Sequence, residues 1–436
     1  MRKLLVLAIV FAGLAAFVYF YEIAGKEERD KARELEESLL RLEREAINEV
    51  IVSPAGKDQL RFEKVGDQWV LREPLDTVAD KTNVDSLVRN LANAKRERTF
   101  NDVKEEDLAA YGLQEPTFRI RVKAGDIEKT LLLGKKDYSG NNVYVRVEGE
   151  PEVHLTSSFL LTAADKELND WRSKDVFVFD RDKVEEIEIR RGGETVRLVK
   201  EGDAWKLRDP VEDQADQTKI NSLLGTLEFA RIQDFVAETP ESLQEYGLDE
   251  PKVSVRLRLA GSDTWMQLDL GKESGENFYA RDPQRKPVFT VRKDVYEDLT
   301  QDVLAFRDKD VVNVKQDDVA RIELLRGDQR LVVRHEEFRW LMEEPEEFKD
   351  KEVPAYKFWY PLDDMRFEAL DGDFGANREA EVEVVVHLKD GDERRFRFWK
   401  QGEEAWAQRV ADGRAGKISL EDYKKLEIEP KDLTEN

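Results

Sequence analysis

The chain has 436 residues, 40% of them apolar and 38% charged, with a formal net charge of −24. That is room for about three domains of ordinary size beneath a densely charged surface. So acidic a balance argues against a nucleic-acid partner, because phosphate binding needs clustered Lys and Arg, and against the folded part lying flat on an anionic bilayer. Cysteine is absent, which excludes disulfides, thiolate nucleophiles, zinc-thiolate sites, iron–sulfur clusters and acylation at a cysteine. The three histidines, His154, His335 and His387, fall in no metal-ligand spacing.

Met1-Arg2-Lys3 precedes an apolar run from Leu4 to Tyr21, which Glu22 ends. Basic residues before the run and none inside it predict an N-in signal anchor over residues 1–25. In this reading residues 4–21 cross the cytoplasmic membrane once and leave the C-terminal bulk periplasmic. The length of the run and its end, Phe17-Val18-Tyr19-Phe20-Tyr21, favour an anchor over a cleaved signal peptide, whose site would be Ile23-Ala24-Gly25. Residues 26–46 read as a charged stalk helix with a narrow apolar stripe of Ala32, Leu35, Leu39, Leu42 and Ala46. Such a stripe serves either docking on the first domain or a short coiled coil with another membrane protein.

From Ile47 the periodicity changes to two. Val50 and Val52, Leu60 and Phe62, and Trp69 and Leu71 alternate with polar residues, with Gly66-Asp67 as a hairpin turn. Pro74 ends the pairing, having no N–H to donate. Val84, Leu87, Val88 and Leu91 then recur at helical spacing, with Thr82 as N-cap and Asp85 completing a capping-box pattern. A second short helix ends at Tyr111-Gly112-Leu113, with Gly112 placed as the left-handed residue of a Schellman motif and Leu108 facing Leu113. Further strands carry Phe118, Ile120 and Val122, then Leu131 and Leu133 running into Gly134-Lys135, then Val143, Val145 and Val147. A helix over 158–170 and the junction Trp171-Arg172-Ser173 close the unit.

The unit then returns. Gly66–Leu87 and Gly202–Leu223 agree at 11 of 22 positions, which makes an internal repeat. Trp69 and Pro74 reappear as Trp205 and Pro210, then as Trp340 and Pro345, always five residues apart. Gly112 reappears as Gly247 behind a helix expected to start at Thr239-Pro240. Gly134-Lys135 reappears as Gly271-Lys272, and the closing helix and junction as 293–305 and Phe306-Arg307-Asp308. The third copy lacks Tyr-Gly-Leu and Leu-Gly-Lys; Trp406 and Arg409 stand near the Tyr and Arg of its late strand. The fold class is therefore α+β: an anchor and stalk, then three tandem repeats with mainly antiparallel sheets over 47–182, 183–317 and a shortened, divergent copy over 318–436.

Few residues suggest chemistry. The Gly-Lys turns follow a strand and precede a loop, unlike a phosphate-binding P-loop. Tyr144 with Arg146, and Tyr279 with Arg281, share a strand face and could line a ligand groove or pair across strands on a solvated face. Phe358-Trp359-Tyr360 is a candidate partner-binding patch, aromatic as interface hot spots are, or a packing cluster. Residues Asp371 to Glu379 resemble a calcium loop, but the glycine falls at position five instead of six. No catalytic residue, metal ligand or cofactor is indicated. The features that recur, Trp69 with Pro74 and Gly112 among them, have folding explanations, whereas a catalytic site is normally unique in a repeat array.

On Trp69…Pro74, Tyr111-Gly112-Leu113…Pro116, Leu133-Gly134-Lys135…Tyr144-Val145-Arg146 and Trp171-Arg172, behind Met1-Arg2-Lys3 and the anchor, the chain resembles a bacterial family of membrane-anchored repeat proteins. That family carries a domain-of-unknown-function label, and its members are often encoded beside gliding-motility-type ABC transport systems. The resemblance implies a non-catalytic extracytoplasmic accessory or scaffold, with an ABC-type transporter subunit as partner. A periplasmic solute- or glycan-binding receptor is the alternative, and an envelope hydrolase the third reading.

Overall fold

A computed structural model describes residues 26–101, 103–370 and 379–434. The expected anchor over 1–25 and most of the loop that begins at Asp371 lie outside the described residues. Among the described residues no helix is long and apolar enough to cross a membrane. The chain divides into two compact units, Met1–Asp175 and Val176–Asn436.

Each of the three copies folds as a nine-stranded sheet. In the first, the strands are β1 (Ile47–Pro54), β2 (Leu60–Val65), β3 (Gln68–Glu73), β4 (Thr77–Val78), β5 (Arg98–Phe100), β6 (Phe118–Ala124), β7 (Ile127–Lys136), β8 (Asn142–Val147) and β9 (Val153–Ser157). Their spatial order is β4-β3-β2-β1-β6-β7-β8-β9-β5, with every pairing antiparallel. One meander runs outward from β1 to β4. The helix Lys81–Ala92 carries the chain to the opposite edge, where β5 pairs with β9. The second meander, β6 to β9, fills the gap between them. The sheets over 184–292 and 319–418 repeat this order strand for strand. The central pairing keeps register too: Val50 faces Val122, Ile187 faces Leu257, and Ile322 faces Val386. A register shift follows the first residue of that strand in each copy, at Ile47, Val184 and Val319. The divergent third copy therefore has the same fold.

Period-two alternation buries one face of each sheet. In the first, Val50, Phe62, Trp69, Leu71, Ile120, Leu131 and Val145 meet Val84, Leu87 and Leu91 of the long helix, together with Leu160 and Trp171. Asp80, not Thr82, caps that helix: its carboxylate accepts from Asn83 N–H at 2.8 Å. Asp85 instead accepts from the Trp69 indole at 3.1 Å. The three prolines that follow the repeat tryptophans, Pro74, Pro210 and Pro345, all have cis peptide bonds before them.

The opposite face is charged, and its carboxylates are held across strands. Glu186 accepts from Arg197 at 2.6 Å and from Arg258 at 2.6 Å; Glu323 accepts from Arg330 at 3.1 Å and meets His387 at 2.7 Å. Burial pushes both acids up, but the hydrogen bonds and charges of these partners outweigh it and hold both below the usual glutamate value.

Several helices stop early. The stalk helix ends at Glu37 instead of running to 46. Leu39 N–H bonds to Ala94 O at 2.7 Å, and Leu39, Leu40 and Leu42 enter the first core. Burying three leucines at about 2 kcal/mol each outweighs the small helix propensity of the residues given up. The closing helices are Phe159–Ala164 and Lys293–Leu299, each followed by a single 3₁₀ turn. In the second, Thr300 Oγ donates back to Tyr296 O at 2.8 Å and Asp302 accepts from Leu304 N–H at 2.8 Å; such local bonds compete with the helical ladder. No helix begins at Thr239-Pro240. Ser242 Oγ takes the Gln244 N–H, and only a 3₁₀ turn forms over Gln244–Tyr246. Val176 and Phe177 pack into the second core, and Val311 and Val312 into the third.

Candidate functional site

The recurring motifs are taken up by the fold. Gly112 has φ 69°, with Leu113 N–H on Leu108 O at 2.9 Å and Gly112 N–H on Ala109 O at 3.1 Å. Those are the two bonds of a Schellman motif. Gly247 repeats them with φ 66°, Leu248 on Leu243 and Gly247 on Gln244. These turns lie directly on the Gly-Lys strands: a Cβ on Gly134 would strike the Tyr111 carbonyl, and one on Gly271 the Tyr246 carbonyl. Tyr-Gly-Leu and Leu-Gly-Lys are thus two halves of one packing device. Lys272 completes it, donating to Gln244 O at 2.9 Å. Its ammonium holds a turn.

Trp69, Trp205 and Trp340 are buried, at 2%, 4% and 1% exposure, so they form no common binding face. Tyr144 packs on Tyr111 with ring centroids 4.9 Å apart and on Phe100 at 6.0 Å. Arg146 pairs with Glu105 at 2.9 Å and donates to Glu150 O at 2.8 Å. Tyr279 meets Tyr246 edge-on at 5.2 Å, while Arg281 is half-buried and its Nε has no partner among the described residues. Of the aromatic stretch, Phe358 and Trp359 are core residues, and Trp359 stacks on Trp340 at 5.5 Å. Only Tyr360 is exposed.

The most developed concave region lies inside the second unit, where the second and third sheets meet. Its foundation is a local substitution. Thr77 of the first sheet stands opposite Leu71; the residue opposite Leu207 in the second is Asp213. The Asp213 side chain is 8% exposed. One of its oxygens accepts from Arg307 Nε at 2.6 Å, and the other contacts Arg414. Arg307 arrives because the junction after the second sheet adds itself to that sheet's edge: Ala215 bridges Arg307, and Asp308 N–H bonds to Gln214 O at 2.9 Å. The junction after the first sheet does the same at Ala79 and Arg172.

Arg414 and Arg409 come from the hairpin that joins the last two strands of the third sheet's outer meander. Arg409 is 2% exposed; it reaches Asp308 at 3.0 Å, Asp412 at 2.7 Å and the Asp310 carbonyl at 2.9 Å. Arg414 donates to Asp308 O at 2.6 Å. Two clefts flank this network. One, of about 520 Å³, is lined by Lys206, Arg208, Asp213, Arg307, Asp412 and Arg414 among others. The other, of about 710 Å³, has Asp216, Asp308, Asp310, Arg366 and Arg409 in its walls. Burial lowers Arg307 and Arg414 from the ordinary guanidinium value, yet a group starting so high stays charged at neutral pH. Burial raises Asp310 above the usual carboxylate range, with Arg366 opposing the rise and Asp308 and Asp216 adding to it.

Sequence reading reached Arg307 as a junction residue but missed Asp213 and Arg414. The available signal was a carboxylate at an edge position where the first copy has a threonine. Arg409 stands near the place of the late-strand arginine, as expected, but not on it. Phe398 faces Ala407 as Leu133 faces Val145, so Gln408, not Arg409, stands where Arg146 stands. Arg409 is one residue further on, at the position of core-facing Val147.

No curated protein matches the chain. The family model described as "Domain of unknown function (DUF4340)" matches it twice, over residues 69–239 and 205–382. Each match opens on a repeat tryptophan, Trp69 or Trp205, and runs into the following sheet. The two matches overlap over residues 205–239. With those two matches together reaching from Trp69 in the first sheet to Val382 in the third, the chain belongs to the DUF4340 family.

Proposed function

We propose that this protein is a membrane-anchored extracytoplasmic scaffold, an accessory subunit of an ABC-type transport or cell-envelope complex. In this reading residues 4–21 hold it in the cytoplasmic membrane, N-in, and the three sheets project outside. The observation that carries it is the use made of the repeated motifs. Trp69 with Asp85, Gly134 with Tyr111, Lys272 with Gln244 and Arg146 with Glu105 are all committed to fold contacts. What recurs along the chain is a framework, and a serial framework provides length and contact surface. The dense surface charge keeps such a framework soluble and unaggregated.

The test is site-specific photo-crosslinking of the full chain in intact membranes, with probes on exposed positions of each sheet. A transporter or envelope membrane protein crosslinked reproducibly from one sheet supports the proposal. Crosslinks from no sheet, or release of the protein from membranes by high salt alone, would overturn it.

A further inference from the structure

The geometry points to a binding site for a small organic oxyanion, a carboxylate or phosphate carried on a compact body, in the smaller cleft between the second and third sheets. The inference goes beyond the scaffold reading and does not depend on it.

It starts from the hydrogen-bonding capacity of Arg307. A guanidinium offers five N–H donors in a planar fork. Arg307 uses only Nε, on Asp213; neither terminal nitrogen has a partner among the described residues. Arg307 lines the cleft, and its side chain keeps 26% exposure. The other oxygen of Asp213 is already taken by Arg414. Two arginines therefore share one largely buried carboxylate, and Arg414 also stands 4.0 Å from Asp412, so Arg307 is the one that faces the cleft with donors to spare. A carboxylate or phosphate meeting the open end of that fork makes two parallel, charge-assisted bonds.

The rim adds two more cations. Lys206 and Arg208 alternate with buried Trp205 and Leu207 on one strand, so both side chains emerge on the same side. Their present partners are Glu201, shared by both, and Glu212, which is 80% exposed. Exposed pairs of this kind hold for about 1 kcal/mol or less, so an incoming anion can draw either cation inward at little cost. Asp213 and Asp412 line the same cleft. Their charge suits a ligand with one or two negative charges and disfavours a polyanion. At about 520 Å³ the space is that of a small-molecule site.

Isothermal titration of the full chain is the test, with galacturonate, glucose 6-phosphate and inorganic phosphate, and with galactose as the uncharged control. Saturable binding of galacturonate alone identifies a carboxylate, and of both phosphates a phosphate; galactose should not bind. R307Q should weaken binding about tenfold or more. Because R307Q also disturbs the joint, the K206Q/R208Q double variant is the second arm: it should weaken binding severalfold and flatten the salt dependence while leaving the melting temperature unchanged. Absence of saturation by any anion below about 10 mM, or affinity unchanged in both variants, overturns the proposal.

Discussion

Gly134 lies directly beneath the Tyr111 carbonyl, in the position where a Cβ would overlap it, and Gly271 stands in the same relation to Tyr246. The obstacle is backbone on both sides, so neither partner can rotate away. G134A should therefore cost about 1–3 kcal/mol, the usual range for an overpacked site, and lower the urea midpoint of the first unit. G140A is the contrast. Nothing lies within 4 Å of its Cβ, and its φ of 75° carries only the left-handed penalty of about 1 kcal/mol. Equal midpoints for the two variants would refute the packing account.

The repeat tryptophans are equivalent in place but not in bonding. Trp69 Nε1 donates to Asp85, whereas Trp340 Nε1 is buried with no partner among the described residues, its ring stacked with those of His335 and Trp359. Tryptophan to phenylalanine keeps most of the packing and removes the N–H. W69F should cost about 1–2 kcal/mol more than W340F, since only the first loses a hydrogen bond to a charged group. Chemical unfolding followed by near-ultraviolet circular dichroism measures both.

Much of this fold was legible because strands announce themselves by local alternation. Ile120 and Val122, or Trp69 and Leu71, need only their neighbours to be read. Pairing is not local. Nothing near Val50 says that it lies between Phe62 and Val122, or that residues 98–100 cross to the far edge. Faces are just as elusive: one residue of slip reverses every side chain, and one residue is what separates Arg409 from the place of Arg146. The joint was the least legible part, because Asp213 and Arg414 lie 201 residues apart and meet only after two sheets have formed.

Acid should act on the second unit in two opposed steps. Glu186 and Glu323 have folded values below their unfolded ones. Their stabilisation is complete above the unfolded glutamate value, near pH 4.3, and is lost as pH falls through the folded values. Asp310 has the opposite sign. The folded state holds its proton more tightly than the unfolded state does, so stability grows as pH falls from its raised value toward about 3.9. The melting temperature should therefore hold or rise slightly on first acidification, then drop. D310N should abolish the early part alone, and E186Q should shallow the later drop; scanning fluorimetry across pH reads both.

The joint itself rests on Arg409. Its guanidinium is 2% exposed and holds Asp308, Asp412 and the Asp310 carbonyl together. Replacing it with methionine keeps the apolar stem but leaves Asp308, 18% exposed, without its cation. Removing one member of a buried pair costs about 3–5 kcal/mol, mostly as the penalty of the charge left behind. Neutralising that charge should then recover part of the loss. R409M should lower the unfolding midpoint of the second unit markedly, and R409M/D308N should be more stable than R409M alone, although it carries one more substitution. If the double variant is the weaker of the two, Asp308 contributes to the joint by some means other than its pairing with Arg409.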